Sequence, residues 1–402
     1  MHIVYLNYLY DRFGVSIGST IKAIELMHAL QEEGHQIDIY WRKKEGDSEE
    51  NPRKTIRPFL KKYFSKYFQE INQILQNVRF IVEERNLLQD RKRPDLLISR
   101  LHPYLFSPFL MAKRLEVPHI IEADSPSAYE VRHFYSGYLR YPQLLEQIEL
   151  KMIQHADSAF CVSNQLKNHF VSRGIEREKM RVITNGVDFL RFNPEISCQF
   201  VQDKYHLQKK TVIGFVGSFH YWHGVENLIR LINAIVSSDS SIAFMMVGHG
   251  GALKSDLDRF IKEKKFEDRV FCTGFVPHEE VSAYINAMDI VVAPYPRLEF
   301  FYYSPVKIYE YLACGKPVVT TRIGQIAELI ENGETGFLCD PGNTNALIEA
   351  VRGLIRNREM RAAVGRKAAQ FIARNHTWKH KARQLSALCE EVLRSRNRML
   401  TI

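Results

Sequence analysis

The sequence predicts an α/β protein made of two doubly wound domains, each with a parallel sheet covered by helices on both faces. The length of 402 residues exceeds the usual size of a single core, so we expect two domains of about 200 residues each. Short apolar strands alternate with helical segments along the whole chain. These strands are almost continuously apolar, which is typical of strands buried on both faces.

The same alternation of strands and helices occurs in both halves of the chain. The segment "STIKAIELMHALQEEG", for example, has Ser19 as a helix cap and Gly34 as a stop signal. The aperiodic stretch "FLRFNPEIS" indicates a linker. The predicted strands are 2–6, 37–40, 96–99, 119–122, 158–162 and 180–183 in the first half, and 211–216, 242–247, 269–273, 289–293, 317–321 and 336–340 in the second.

These elements predict an N-terminal domain over residues 1–195 and a C-terminal domain over residues 205–375. Residues 42–93 exceed what is needed to join two strands, so we interpret them as an insertion in the first domain. A final helix over residues 376–402 is expected to return across the seam between the domains.

Composition excludes several classes of protein. No apolar run approaches the roughly 18–20 residues of a membrane span, and the N-terminus lacks the layout of a signal peptide. The six cysteines are scattered, with no spacing typical of zinc or redox motifs. We therefore expect a cytoplasmic protein. The net charge of +9 favours an anionic partner, but nucleic acid is disfavoured because no nucleic-acid-binding signature is present.

Three glycine-containing loops follow predicted strands: "DRFGVSIGST", "VGSFHYWHGVENL" and "VGHGGALKSDL". Open parallel sheets bind ligands beyond the carboxyl ends of their strands, where such loops lead into helix N-termini. The third loop matches a dinucleotide fingerprint only loosely, so a nicotinamide cofactor is disfavoured.

The stretch "SPVKIYEYLACGKPVVTT" predicts a helix followed by a buried strand. Pro305 suits the first turn of a helix, and Gly315 can adopt the left-handed conformation that ends one. Apolar residues recur between them at helical spacing. Lys307 and Glu310 therefore lie in the opening turns of this helix.

Four stretches together resemble the retaining GT-B glycosyltransferases of family 4. They are residues 156–194, "VGSFHYWHGVENLI", residues 272–295 and "SPVKIYEYLACGKPVV", in the order and spacing of that family. The resemblance covers nearly the whole chain. It implies a GT-B fold, in which two Rossmann-like domains face each other across a cleft. It also implies a nucleotide-sugar donor on the C-terminal domain, an acceptor on the N-terminal domain, and neither a metal ion nor another cofactor.

The resemblance also implies roles for individual residues. Glu310 would bind the ribose hydroxyls, although a solvated first-turn acid is the alternative reading. Lys307 would contact phosphate, or be an ordinary surface lysine. The remaining positions that the resemblance assigns to the donor are Gly18, Ser19, Gly217, Ser218, Phe275, Val276, Tyr302, Tyr303, Ser304, Pro305 and Val306.

The chain departs from the family at charged positions. The first glutamate of the usual pair is replaced by Tyr302, and Glu299 lies nearby but out of register. The usual arginine and lysine of the first donor loop are Ser218 and His223. We hypothesise that His223 is a catalytic imidazolium whose pKa is raised by the diphosphate. The alternative is that His223 packs beside a tryptophan and caps the turn.

On the acceptor side, the stretch "IIEADSP" places Glu122 and Asp124 beyond the fourth strand, where the family often has acceptor or catalytic groups. We expect Glu122 to be catalytic and Asp124 to bind the acceptor. Arg100 ends the preceding strand, and it could bind an anionic acceptor or pair with a carboxylate.

The insertion contains an aromatic stripe at helical spacing beside three lysines. This pattern is compatible with a helix that lies on an anionic membrane near a lipid-linked acceptor. The alternative is a stripe that packs on the acceptor domain while the lysines are solvated. The residues are Phe59, Lys61, Lys62, Tyr63, Phe64, Lys66, Tyr67 and Phe68.

The predicted function is that of a retaining, metal-independent hexosyltransferase. The donor would be a UDP-sugar, or a GDP-sugar, and the acceptor a glycan or lipid-linked saccharide in cell-surface polysaccharide synthesis. A nucleotide-sugar epimerase on the same architecture is one alternative. A catalytically inactive, nucleotide-sugar-binding scaffold is the other, because of the changes at Ser218, His223 and Tyr302.

Overall fold

The computed structural model of the chain describes residues 1–7, 17–41, 70–71, 73–85, 92–134 and 141–400. The chain divides into two compact units, Met1–Thr184 with Lys381–Ile402 and Asn185–His380. Most of the predicted insertion, including its aromatic stripe, lies outside the described residues.

The N-terminal unit contains a six-stranded parallel sheet in the order β2-β1-β3-β4-β5-β6. Ile3 of β1, the second strand from one edge, pairs with Ile37 on one side and Leu96 on the other. The strands are β1 (His2–Asn7), β2 (Gln36–Trp41), β3 (Leu96–Arg100), β4 (His119–Ala123), β5 (Ser158–Cys161) and β6 (Met180–Val182). The helices are α1 (Ile17–Glu32), α2 (70–71 and 73–85), α3 (Ser107–Leu115), α4 (Ser127–His133), α5 (Pro142–His155) and α6 (Asn164–Val171).

The C-terminal unit contains a second six-stranded parallel sheet, in the order β12-β11-β10-β7-β8-β9. Its strands are β7 (Thr211–Val216), β8 (Ile242–Val247), β9 (Val270–Cys272), β10 (Ile290–Ala293), β11 (Val318–Thr321) and β12 (Phe337–Cys339). The helices of this unit are α7 (Gln199–Lys204), α8 (Val225–Val236), α9 (Lys254–Lys264), α10 (His278–Asn286), α11 (Val306–Ala313), α12 (Ile326–Leu329), α13 (Thr344–Arg356) and α14 (Arg358–Asn375). The last helix is α15 (Trp378–Leu400), whose residues from Lys381 onward belong to the N-terminal unit.

The predicted fold class is confirmed, and all twelve predicted strands are present. Successive residues of β8 show why these strands are apolar throughout. Phe244 packs in one hydrophobic cluster and Met245 in another, on the opposite face of the sheet. Both faces are therefore covered, so neither set of alternate residues meets water.

The loops that follow β7 and β8 lie against each other at the carboxyl edge of the second sheet. Gly217 and Gly248 both have positive φ angles, of 141° and 143°. A Cβ atom on Gly248 would lie 2.3 Å from the carbonyl oxygen of Gly217. Glycine is needed here because of both the backbone conformation and this close approach.

Two further findings concern the described residues. No helix among them combines the length and apolarity needed to cross a lipid bilayer. All six cysteines are unpaired thiols.

Two helical glycines provide a matched test of the packing. A Cβ atom on Gly365 of α14 would lie 2.0 Å from the Gly315 carbonyl oxygen, whereas one on Gly353 of α13 would have no heavy atom within 4 Å. We expect Gly365→Ala to destabilise the protein by about 1–3 kcal/mol through overpacking. Gly353→Ala should stabilise it by about 0.5–1 kcal/mol, since alanine favours a helix.

Chemical denaturation of both variants beside the wild type measures this difference. Equal unfolding free energies for the two variants would contradict the close packing of α14 on the turn after α11.

Candidate active site

The candidate site forms around the start of α11, at the carboxyl edge of the second sheet. Pro305 is the N-cap residue, with φ −69° and ψ 116°, and no side chain caps the helix there. A loop that starts at Pro294, directly after β10, leads into α11 at Val306. The first N–H groups of α11 therefore carry the partial positive charge of a helix N-terminus.

Asn185 fixes the loop that leads into α11. Its backbone N–H donates to Ser304 Oγ at 3.1 Å, and its Nδ2 donates to the Ser304 carbonyl at 2.5 Å. Ser304 Oγ also lies 3.1 Å from Tyr309 Oη. Because these contacts engage its hydroxyl and carbonyl, Ser304 is a structural residue of the loop.

Lys307 has a buried ammonium group, and no described residue is a hydrogen-bond partner of it. Its Nζ lies 4.4 Å from the centre of the Phe215 ring and 5.5 Å from that of Tyr295. It also lies 2.9 Å from where a Cβ atom on Gly217 would be. Burial lowers the pKa of Lys307 to about 7, although the Glu310 carboxylate opposes the shift. Lys307 is therefore not an ordinary surface lysine.

His223 lies beside the same two aromatic rings, 6.5 Å from Phe215 and 6.3 Å from Tyr295 between ring centres. Its Nδ1 is 2.7 Å from the Ser218 carbonyl oxygen, which can only accept, so Nδ1 carries the proton. Burial, together with the Lys307 charge, lowers the pKa of His223 to about 3.

In the ligand-free protein His223 is therefore neutral, and the imidazolium expected beside a bound diphosphate stays a prediction. The sequence placed no cation beside this histidine, whereas the fold brings Lys307 close to it and removes water from both. The neutral ring closes the 3₁₀ turn Tyr221–His223 by its bond to Ser218, as in the alternative reading.

Tyr311 anchors the end of β7. Its hydroxyl accepts a hydrogen bond from the Val216 N–H at 2.5 Å, directly before Gly217. Burial raises the pKa of Tyr311 well above its ordinary value, so the hydroxyl remains neutral. Tyr311 thus connects α11 to the glycine loop that faces Lys307.

Glu310 is buried, with 5% of its surface exposed, and is not a solvated first-turn acid. Its Oε1 lies 2.7 Å from Nε2 of His278, the first residue of α10. His278 in turn packs 5.1 Å from the ring of Phe192. The carboxylate of Glu310 is therefore oriented before any ligand binds.

The other predicted donor residues differ in exposure. Phe275 is 59% exposed and packs edge-on against His249, with 5.4 Å between ring centres. Val276 is half-buried. Tyr302 is completely buried and packs against Tyr303, with 4.1 Å between ring centres and a tilt of 37° between the rings. A side-chain contact between Tyr302 and a donor does not agree with this burial.

The predicted acceptor residues form a closed network of charges in the N-terminal unit. Lys22 Nζ lies 2.6 Å from Glu122 Oε1 and also pairs with Asp124. Arg100 pairs with Asp124 through one nitrogen and donates to the Ser19 carbonyl through another, at 3.1 Å. Burial would raise the pKa of Asp124, but Arg100 and Lys22 hold it below its ordinary value.

Glu122 therefore has a different role from the one expected. It is completely buried, and it accepts a hydrogen bond from Tyr5 Oη besides pairing with Lys22. A carboxylate in this position cannot contact an acceptor without breaking both interactions. The structure assigns Glu122 to the network that fixes α1 to the ends of β1, β3 and β4. Asp124, with 15% of its side chain exposed, is the more accessible carboxylate.

The structure brings together the predicted residues Gly217, Ser218, His223, Lys307 and Glu310. Gly18 is exposed and Ser19 half-buried in the first turns of α1, in the other unit. The sequence reasoning missed Tyr311, His278, Asn185 and Lys22. Tyr311 looked like a core residue because of its helical spacing. His278 was missed because its partner, Glu310, lies 32 positions away in the sequence. Among the described residues, no three His, Cys, Asp or Glu side chains cluster as metal ligands.

Comparisons with known proteins agree with this architecture. Residues 18–191 match the family described as "Glycosyltransferase Family 4", and residues 210–357 match "Glycosyl transferases group 1". The alpha-D-kanosaminyltransferase of Streptomyces kanamyceticus is 24% identical over 318 residues, which cover 76% of this chain and 81% of that protein.

Another relative is the capsular polysaccharide biosynthesis glycosyltransferase CapM of Staphylococcus aureus. It is 27% identical over 230 residues, or 54% of this chain and 57% of that protein. The crystal structure of Anabaena HepE in complex with UDP-glucose superposes with a TM-score of 0.71 at 17% identity, covering 97% of this chain and 100% of that one. This structural likeness shows the GT-B fold. With matches along most of its length, the chain belongs to glycosyltransferase family 4 and is a glycosyltransferase.

Proposed function

We propose that the protein is a retaining glycosyltransferase that moves a sugar from a UDP-sugar to a hydroxyl of a glycan or lipid-linked saccharide. The observation that carries this proposal is the buried Lys307 ammonium beside Gly217, which has no hydrogen-bond partner within the described part of the chain. A buried cation without a hydrogen-bond partner costs free energy, which a bound anion would recover. The diphosphate of a nucleotide sugar is such an anion.

The start of α11 supplies the other interactions with the diphosphate. Its uncapped N–H groups are suited to phosphate oxygens, and Lys307 in its first turn adds a full positive charge. Both stabilise the negative charge that develops as the diphosphate leaves. Lys307 would thus supply the cation that Ser218 and His223 lack, and we propose that no metal ion is required.

Glu310 completes the donor site in this proposal. His278 engages Oε1, so we expect Oε2 to accept from a ribose hydroxyl. Glu310 follows Lys307 by three positions, hence both side chains lie on one side of α11. A nucleoside diphosphate would therefore extend along this side of the helix, with phosphates at its start and ribose farther along.

The comparisons support the choice of substrates. HepE, which shares the fold, is described in complex with UDP-glucose. CapM is described as an enzyme of capsular polysaccharide biosynthesis. A retaining outcome follows the family resemblance, in which the leaving phosphate helps to deprotonate the acceptor. We place the reaction in the cytoplasm, which cell fractionation would test.

The first prediction concerns donor binding. Among UDP, GDP, ADP and CDP, UDP should give the largest thermal shift, because a ligand stabilises the state that binds it. Glu310→Ala should weaken UDP binding about 10- to 100-fold, since a charge-assisted hydrogen bond contributes roughly 1.5–3 kcal/mol. Isothermal titration calorimetry measures the affinity.

The matched control is Glu299→Ala, which removes an exposed carboxylate on the loop before α11. It should bind UDP like the wild type. Unchanged affinity in Glu310→Ala would contradict the ribose role.

The stereochemistry and metal independence of the reaction are tested separately. NMR of the product gives the anomeric configuration, and inversion would contradict the proposed retaining mechanism. Loss of turnover in EDTA would contradict the proposal that no metal ion is required.

The second prediction concerns stability without ligand. The pKa of Lys307 falls from 10.5 to about 7 on folding, so the protonated lysine disfavours the folded state. Below pH 7 this cost is complete, and it diminishes as the pH rises from about 7 towards 10.5. Lys307→Met should therefore stabilise the protein by roughly 2–4 kcal/mol at pH 6–7.

Chemical denaturation across this pH range measures the effect, and the advantage of the variant should shrink by pH 10. A variant that is less stable than the wild type at pH 6 would show that the Lys307 charge is compensated in the free protein.

The third prediction concerns proton linkage. A diphosphate beside Lys307 should raise its pKa above the value of about 7 in the free protein. Binding of UDP at pH 8 should then take up a proton, and the affinity should fall as the pH rises from about 7 to 9. Calorimetry in two buffers of different ionisation enthalpy measures the proton uptake. Lys307→Met should bind weakly with no uptake above pH 7, and equal uptake in this variant would exclude Lys307 as the source.

A further inference from the structure

Helix α2 of the N-terminal unit directs apolar side chains outward. Ile71, Leu75, Val78 and Val82 are each more than half exposed, from 54% to 62%. Their spacing of four, three and four positions places them on one face. The stripe is about 16 Å long at the rise of an α-helix.

The opposite face of α2 is buried, and it carries polar side chains beside Ile74 and Phe80, which pack in the core. Glu70 accepts from the Tyr141 N–H at 2.7 Å and from Tyr104 Oη at 3.1 Å. Glu84, which is completely buried, accepts from Ser107 Oγ at 2.9 Å. These carboxylates are two full heptads apart, on the side that faces the protein.

Asn77 lies midway between them and is also buried. Its Oδ1 accepts from the Phe106 N–H at 2.8 Å and the Ser107 N–H at 3.0 Å, at the start of α3. Its Nδ2 donates to the Tyr104 carbonyl at 2.8 Å. Turning α2 to bury its apolar stripe would break all of these hydrogen bonds. The outward position of the stripe is therefore fixed by the polar face.

The other exposed large apolar residues of this unit lie on neighbouring elements. Among its described residues these are Leu110, Tyr141 and Leu144. Leu110 belongs to α3, which Asn77 caps, and the other two lie at the start of α5, where Glu70 binds the Tyr141 N–H. The contacts of α3 and α5 with α2 are made by its inner face, so the stripe alone defines the surface. A continuous exposed apolar stripe on one face of a helix marks a surface that contacts an apolar partner.

The charges on α2 indicate the kind of partner. Arg79 and Arg85 are both exposed, and Arg79 pairs with Glu83 at 2.6 Å. In the sequence alone, residues 53–69, directly before α2, contain six lysines and arginines and no acidic residue. An apolar stripe on a helix that also carries exposed positive charge is typical of helices that bind anionic lipid headgroups.

We propose that the outer face of α2, with Ile71, Leu75, Val78 and Val82, docks the protein on an anionic lipid membrane. The apolar stripe would enter the boundary between headgroups and acyl chains, while the basic residues contact the headgroups. This proposal deepens the lipid-linked class of acceptor proposed above, but it does not require the UDP assignment.

Flotation of the full chain with lipid vesicles tests the proposal. We expect binding to phosphatidylcholine vesicles with about 30% phosphatidylglycerol, weakening at high salt, and little binding to pure phosphatidylcholine. The variant Ile71→Gln/Leu75→Gln/Val78→Gln/Val82→Gln should bind at least about tenfold more weakly, because it removes the apolar contribution. The control Leu190→Gln/Phe200→Gln changes two exposed apolar residues of the other unit and should bind like the wild type.

A direct measurement separates the stripe from the basic residues. Val78→Trp should show a blue-shifted tryptophan emission with anionic vesicles, and brominated lipids should quench it. The quadruple variant should still bind UDP in solution, so a failure of the donor assignment and a failure of the membrane assignment have different signatures.

Three outcomes would overturn the proposal. One is equal vesicle binding by the quadruple variant and the wild type. Another is an unshifted Val78→Trp emission while the protein is bound to vesicles. The third is a concentration-dependent dimer in light scattering that the quadruple variant abolishes while vesicle binding persists, which would make the stripe an interface between two copies of the chain.

Discussion

The desolvated ammonium of Lys307 is the constraint that the arrangement of the donor unit depends on. An amine in this position can remain charged at neutral pH only at a cost, and the pKa of about 7 reflects that cost. Cation–π attraction to the faces of Phe215 and Tyr295 offsets part of this free-energy cost. Gly217 leaves room for the ammonium group, because a Cβ atom there would lie 2.9 Å from Nζ. A site prepared in this manner is less stable when empty, which is a common property of binding sites.

The two units differ in whether their buried charges are paired. In the N-terminal unit, Lys22 and Arg100 are neutralised by Glu122 and Asp124, so the network is complete without a ligand. In the C-terminal unit, Lys307 has no hydrogen-bond partner among the residues that the structure describes. Paired buried charges fix the relative positions of secondary-structure elements, whereas an unpaired one attracts a counter-ion. This difference is the physical basis for assigning similar residue types near strand ends a structural role in one sheet and for proposing a ligand-binding role in the other.

Much of the fold could be predicted from the sequence, since strands buried on both faces read as continuous apolar runs. The helix around Lys307 and Glu310 could also be predicted, because Pro305 and Gly315 mark its ends. The charge states could not. His223 appeared to be a substitute cation. Its pKa in the free protein is lowered first by burial and then by Lys307, which is 84 positions away in the chain. The pairing of Glu122 with Tyr5 and Lys22 depends on how β4 lies beside β3 and α1, which a linear pattern does not show.

Helix α11 has only eight residues, yet three side chains on one side of it have separate roles. Lys307 faces the glycine loop, Glu310 meets His278, and Tyr311 holds the end of β7. A shift of the helix axis would displace all three together, so an evolving enzyme could not adjust one of these contacts independently of the others. Changes in sugar preference would therefore accumulate in the surrounding loops, while the three contacts of this short helix would be kept together.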